Sequence, residues 1–122
     1  MLIAKPFTAE EPSDELRISV MSSHSHLGTL DAYYDEWWET LAPPVEMIKG
    51  HFDDHRAGLK FAREYWSFLS EGHRDEVYEI GRLALHSDVT LICQCEGAYP
   101  HREIIAAYAK LLIPELKLRT VV

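Results

Sequence analysis

Cysteines, cationic side chains and long apolar runs are all scarce in this chain of 122 residues. Its two cysteines, Cys93 and Cys95, are spaced in a way that strand geometry does not favour for a disulfide, so we expect a reduced, cytoplasmic protein. With 12 basic against 20 acidic residues, strong sequence-independent binding to nucleic acid is not expected, because such binding requires cations to neutralise phosphates. No run approaches the roughly twenty apolar residues of a membrane span, and the first residues lack the apolar core and cleavage site of a signal peptide.

The overall composition is that of an ordinary globular protein. Apolar residues make up 47% of the chain and charged residues 26%, which favours one folded domain over residues 1–122. A domain of this length buries roughly two-thirds of its unfolded surface, so it forms a core without a metal or a disulfide. We assign no cofactor to the chain.

Strand and helix signals alternate along the chain. Alternation of apolar and polar residues predicts strands at 16–21 and 116–122, and a continuous apolar run predicts a buried strand at 89–95. Residues 1–15 are expected to form an arm or an edge strand. Together with intervening helices, this order predicts an α/β fold: a single small domain with a mostly parallel sheet of about three to four strands, covered by four to five helices.

The helix predictions depend on apolar residues spaced three and four apart. The strongest such signal precedes Pro43 and Pro44 and consists of Leu30, Tyr33, Tyr34, Trp37, Trp38 and Leu41. A short helix is predicted at about 44–49. Longer ones follow from Asp53 or Asp54 to Gly72, around 77–84, and from Pro100 to Pro114.

Two polar loops follow predicted strands, at 22–28 and 96–99. Ligands of open parallel sheets bind beyond the carboxyl ends of the strands. If these two strands are neighbours, the first loop faces the second loop and the next helix across a crevice. The residues that would then meet, as ligand-binding or catalytic groups, are Ser22, Ser23, His24, His26, Cys95, Glu96, His101 and Arg102.

The helix that begins near Pro100 suggests an anion-binding corner. Proline has no amide proton, so the N–H groups of His101, Arg102 and Glu103 are expected to point outward at the positive end of the helix. Arg102 adds a permanent fork-shaped charge suited to phosphate or carboxylate. The alternative is that His101 and Arg102 form an ordinary solvated first turn and that Glu103 pairs locally.

The same segment offers groups for chemistry. Cys95 is a candidate nucleophile activated by the helix end and His101, and Glu96 is a candidate general base. The alternatives are that Cys95 is a small core residue, as we expect for Cys93, and that Glu96 is an exposed acid. A zinc site built from Cys93, Cys95 and His101 with His24 or His26 is a further alternative, but the spacing is not a standard zinc pattern, so no metal ligands are assigned.

These features favour a protein that binds an anionic small molecule, such as a phosphate, nucleotide or carboxylate, and performs a hydrolase- or transferase-type reaction. The alternative class is a non-catalytic interaction module, a homodimer whose aromatic helices form the interface.

Several short segments, taken in their order along the chain, resemble those of a known protein family. They are Arg17-Ile-Ser-Val20, Trp37-Trp-Glu-Thr-Leu-Ala-Pro-Pro44, an aromatic helix with Phe61 and Tyr65, the strand at 89–93 and His101-Arg-Glu-Ile-Ile-Ala106. Over about residues 16–113 the chain resembles the small YeaO-like proteins (domain of unknown function 488). The resemblance implies a compact α/β fold and no settled activity.

The chain departs from that family at two places. The family's first strand usually runs into a segment like Val-Asp-x-x-Trp-Pro-Arg, and here the sequence is Val20-Met-Ser-Ser-His-Ser-His26. A cysteine often precedes His-Arg in the family, and here Pro100 does. We therefore expect this chain either to use His24, His26 and Cys95 in place of those groups or to have lost their chemistry.

Overall fold

In the part of the chain that the structure describes, five parallel strands form one sheet in the order β3-β2-β4-β1-β5. The computed structural model describes residues 1–6, 16–22, 34–48, 54–93 and 100–121. The strands are β1 (Leu2–Pro6), β2 (Leu16–Ser19), β3 (Glu36–Trp37), β4 (Val89–Cys93) and β5 (Leu118–Thr120). The helices are α1 (Val45–Ile48), α2 (His55–Gly72), α3 (Arg74–His86) and α4 (His101–Leu112), and a 3₁₀ turn spans Glu39–Leu41.

The predicted α/β class and parallel sheet are confirmed, with one more strand than expected. The amino-terminal strand is not an arm or an edge, because β1 pairs with β4 on one side and with β5 on the other. Leu2, Ile3 and Ala4 are all buried. An interior strand needs apolar side chains on both of its faces, which these consecutive residues supply.

The helix expected up to Leu41 is wrong for the residues that the structure describes, 34–41. Glu36 and Trp37 instead extend the sheet beside β2. Asp35 N–H donates to the Arg17 carbonyl at 2.8 Å, and Trp38 N–H donates to the Ser19 carbonyl at 2.9 Å. These bonds pair backbone carbonyls on one edge of β2. Because aromatic residues also suit a strand, pairing with β2 outweighs the helical spacing of the apolar residues in this segment. Residues 30–33 lie outside the described part of the chain.

The remaining helices match their signals. Asp54 caps α2 by accepting from Ala57 N–H at 2.7 Å. Helices α2, α3 and α4 pack on one another, and their buried residues join one face of the sheet in a single apolar core. That core contains Leu91 and Cys93 from β4. Within the described ranges, none of the helices has the length and apolar character needed to cross a membrane.

Candidate anion-binding site

The connections of the sheet change direction between β2 and β4, which is where a sheet of this kind is expected to have a crevice. These strands are direct neighbours, so the adjacency that the sequence left open is present. The chain leaves β2 towards β3 at one edge of the sheet, and it leaves β4 through α4 towards β5 at the other edge. Connections that depart in opposite directions open a crevice at the carboxyl ends of the two strands, which is where ligands of such sheets bind.

Helix α4 begins directly over this crevice. Pro100 is its N-cap, with φ −64° and ψ 139°, because proline fixes φ and allows an extended ψ. The Pro100 carbonyl accepts from Glu103 N–H at 3.0 Å, so the expectation that the Glu103 amide points freely outward is wrong. His101 and Arg102 are the two helical residues whose N–H groups have no acceptor within the helix.

Arg102 is buried, with only 4% of its surface exposed. Its Nη1 donates to the Cys93 carbonyl at 3.4 Å and contacts the Cys93 sulfur at 3.3 Å. Since Cys93 is the last residue of β4, these contacts place the guanidinium at the carboxyl edge of the sheet. His101 is 6% exposed, so the alternative of a solvated first turn is wrong for both residues.

Among the residues that the structure describes, the other edge of the guanidinium has one ion-pair contact, with Glu103. Arg102 Nε is buried and makes no hydrogen bond. Arg102 Nη2 has an ion-pair contact with Glu103 Oε2 at 4.0 Å, a distance too long for a hydrogen bond. Nε–H and the adjacent Nη2–H point in the same direction in a planar guanidinium, so together they form a fork that matches two oxygens of a carboxylate or phosphate.

His101 fixes the start of α4 to the end of β2. Its Nε2 lies 2.8 Å from the Val20 carbonyl, and because a carbonyl only accepts, Nε2 must carry the proton. The ring also meets Tyr65 edge-on, with ring centroids 5.7 Å apart. The Tyr65 hydroxyl in turn donates to the Leu41 carbonyl. These contacts hold the beginning of α4, and with it Arg102, against the crevice.

Three residues at the same sheet edge were not predicted as site residues. Cys93 orients Arg102, as described above. Lys5, near the end of β1, is only 6% exposed. The feature of the sequence that could have identified it is a single basic residue within an otherwise apolar strand. Trp37, at the end of β3, donates its indole N–H to the Met21 carbonyl at 2.7 Å and remains 42% exposed. The sequence predicts a helix over this segment, so it does not bring Trp37 to the carboxyl edge of the sheet.

Some predicted site residues can be placed and others cannot. The structure brings His101 and Arg102 to the crevice, and Ser22 is exposed just beyond β2. The remaining predicted residues lie outside the described part of the chain; they are Ser23, His24, His26, Cys95 and Glu96. Their catalytic and ligand-binding roles stay predictions.

The described ranges contain no group of three or more His, Cys, Asp or Glu side chains that could hold a metal ion. The Cys93 sulfur, one of the ligands considered for zinc, lies against the Arg102 guanidinium. A permanent positive charge at that distance opposes a second cation. Cys93 is therefore better explained as a buried partner of Arg102 than as a metal ligand.

Comparison with known families gives a match to one family model over most of the chain. The model of the family DUF488-N3a, described as the active DUF488-N3 subclade, matches residues 2–111. Comparisons with curated proteins and with solved structures find no match. The matched range includes all of the crevice described above and begins with β1, which the resemblance seen in the sequence had left out. The chain belongs to the DUF488 family.

Proposed function

We propose that this protein binds a small molecule through a carboxylate or phosphate group in the crevice between β2 and β4. The observation that carries the proposal is Arg102, a guanidinium that is buried while its Nε–H remains unpaired. Arg102 Nη1 contacts the backbone carbonyl and the sulfur of Cys93, and neither of these is a carboxylate.

A buried cation without a hydrogen-bonded counterion is energetically unfavourable. An oxyanion placed on the Nε–Nη2 edge would supply both the missing acceptor and the compensating charge. Such bidentate, charge-assisted pairs are among the strongest hydrogen-bonded contacts in proteins. The amide groups at the start of α4 and the positive end of its dipole favour an anion at the same place.

The roles of the neighbouring residues follow from their contacts. Cys93 orients Arg102, and His101 positions α4, since its Nε2–H is committed to the Val20 carbonyl. We assign any proton transfer or nucleophilic attack to Cys95 and Glu96, with His101 assisting, as the sequence predicts. The matched family is described as an active subclade, which favours a catalytic role over binding alone; the hydrolase- or transferase-type reaction is what the sequence predicts.

Isothermal titration calorimetry with inorganic phosphate and with acetate tests the proposal. The native protein should bind at least one of the two anions. Arg102→Met should weaken that binding by about tenfold or more, as expected for loss of a charge-assisted pair. Arg82→Met is the matched control, because Arg82 is an exposed arginine of α3 that forms an ion pair with Glu79 on the same helix. Absence of binding to the native protein, or equal binding by Arg102→Met, would refute the proposal.

A further inference from the structure

We infer that the outer edge of β5 is a docking site for an extended acidic segment of a partner protein, which adds to the sheet as a further strand. The inference does not depend on the anion site at Arg102, because β1 separates β5 from β4 in the sheet. The class of partner follows from the direction of the backbone groups of β5 and from the charge of its side chains.

Strand β5 presents backbone hydrogen-bonding groups at the edge of the sheet. It is the last strand on its side of the described sheet, and its three residues are exposed. The Lys117 carbonyl accepts from Leu2 N–H of β1 at 2.8 Å, and Val121 N–H donates to β1 at 2.8 Å. Because alternate residues of a strand direct their N–H and C=O groups to opposite edges, those of Leu118 and Thr120 point away from β1. Such an edge is a template for another strand.

The same edge carries positive charge in an acidic protein. Residues 116–122 include Lys117 and Arg119 and no acid, whereas the formal net charge of the chain is −8. Two residues apart on a strand, these side chains point to the same face at a spacing of about 7 Å. Both are exposed, and the ion pairs of lysine and arginine among the described residues involve neither of them. The edge therefore offers two cations to a partner.

Leu118, between the two cations, points to the opposite face. It pairs with Leu2, which belongs to the apolar core on the side that the helices cover. Leu118 nevertheless remains 39% exposed, so an apolar residue of an added strand can cover it. Because side chains alternate between the two faces of a sheet, the complementary segment has the pattern acid–apolar–acid, with its acids opposite Lys117 and Arg119.

The geometry of an antiparallel addition favours these charge pairs. Leu118 exchanges hydrogen bonds with the residue opposite, so Lys117 and Arg119 occupy the flanking positions that are not hydrogen-bonded across the new pair. Opposed Cα atoms approach to about 4.5 Å at such positions, compared with about 5.5 Å at hydrogen-bonded ones. Each opposite-charge pair at this range strengthens cross-strand pairing by up to about fivefold.

A second copy of this chain fits the same edge less well. The antiparallel register that uses the outward groups of both Leu118 and Thr120 in each copy places Arg119 directly opposite its own counterpart. Like charges in that position destabilise a pair of strands. The cations therefore oppose self-pairing, as charged residues commonly do on edge strands, and favour a partner of opposite charge.

Isothermal titration calorimetry with two synthetic heptapeptides tests the inference. The acidic peptide, acetyl-Thr-Val-Glu-Val-Glu-Val-Thr-amide, should bind at least about tenfold more tightly than the same peptide with lysine in place of both glutamates. The double variant Lys117→Gln, Arg119→Gln should lose this preference. The matched control is Lys60→Gln, Arg82→Gln, which removes two exposed cations of α2 and α3 and should retain the preference.

Amide hydrogen exchange, followed by NMR, distinguishes strand addition from a general effect of charge and needs no variant. Saturating acidic peptide should slow the exchange of the Leu118 and Thr120 amides by about tenfold or more. The inference is overturned if the native protein binds both peptides equally or neither, if Lys117→Gln, Arg119→Gln binds the acidic peptide as the native protein does, or if binding leaves these two amides unprotected. A dimer in sedimentation equilibrium that protects the same amides would assign the edge to a second copy and overturn the inference equally.

Discussion

Replacement of Arg102 by methionine is expected to stabilise the ligand-free protein, although it removes a buried side chain that makes polar contacts. The Arg102 side chain is 5% exposed, and in the described part of the chain its ion-pair partner is Glu103, at 4.0 Å. The guanidinium thus loses most of its hydration without gaining a hydrogen-bonded counterion. Methionine is unbranched and flexible, so it can occupy much of the same volume beside Cys93 without a polar group.

The magnitude follows from the individual contacts. An unpaired buried donor such as Arg102 Nε costs about 1–3 kcal/mol. The two contacts of Nη1 with Cys93, at 3.4 and 3.3 Å, are long, and we assign them about 0.5 kcal/mol each. The balance is a gain of about 1 kcal/mol on substitution, in the direction seen when uncompensated buried charges are replaced by apolar residues. For a domain of this size, 1 kcal/mol corresponds to roughly 3–5 °C in Tm.

Urea and thermal unfolding in phosphate-free buffer, followed by circular dichroism, measure this difference. Added anion should reverse the order of stability, because a ligand at 100 times its Kd stabilises only the protein that binds it, by about 2.7 kcal/mol. Arg82→Met should change the stability by less than about 0.5 kcal/mol under both conditions. If Arg102→Met lowers the free energy of unfolding by 1 kcal/mol or more without ligand, the arginine is a compensated structural group and the reasoning is refuted.

Three further predictions concern the framework of the fold. Hydrogen bonds from the Arg17 side chain, and then from its backbone, lower the pKa of Asp35 from 3.8. The Arg17–Asp35 pair therefore stabilises the protein above pH 3.8, and this stabilisation is lost as the pH falls through the pKa of the folded protein. Asp35→Asn should lower the free energy of unfolding by up to about 1 kcal/mol at pH 7 and leave it unchanged in strong acid, as measured by urea unfolding. Asp54→Ala should cost about 1 kcal/mol through loss of the α2 cap, with retained stability counting against the capping contact. Gly81→Ala should raise Tm by a few degrees, because its Cβ would lie 2.7 Å from Ile113 Cδ1, the end of a side chain that can turn aside, so that the gain in helix propensity outweighs the repacking; a fall in Tm would contradict this.

The helices that sequence patterns predict well are those whose signals are local. Helix α2 has a capping aspartate, an apolar stripe that includes Tyr65 and Leu69, and a terminal glycine, all within one segment. Helix α4 has a proline at its start and buried residues at helical spacing. Such helices form in the place and direction that their own residues specify, because the same stripe that marks the helix also supplies its contact with the sheet.

The segment before Pro43 shows the opposite case. The spacing of Tyr34, Trp37 and Trp38 satisfies a helical template, but the same residues also suit a strand. What decides between them is the free edge of β2, a feature that is remote in the chain and invisible in a local window. The interior position of β1 in the sheet was not predicted for the same reason. It depends on pairing with β4 and β5, which lie far from β1 in the sequence.

The location of the candidate site was predictable from the sequence, but its key property was not. A proline-started helix after a buried strand specifies where the positive helix end lies. The burial of Arg102 cannot be inferred in this way, because charged residues are almost never fully buried unless paired. It depends on β2 lying beside β4, on His101 reaching the Val20 carbonyl and on Cys93 presenting its sulfur and carbonyl to Nη1. Because contacts from separate elements bury Arg102 with its Nε–H unpaired, the case for a ligand rests on a tertiary arrangement that none of those elements encodes alone.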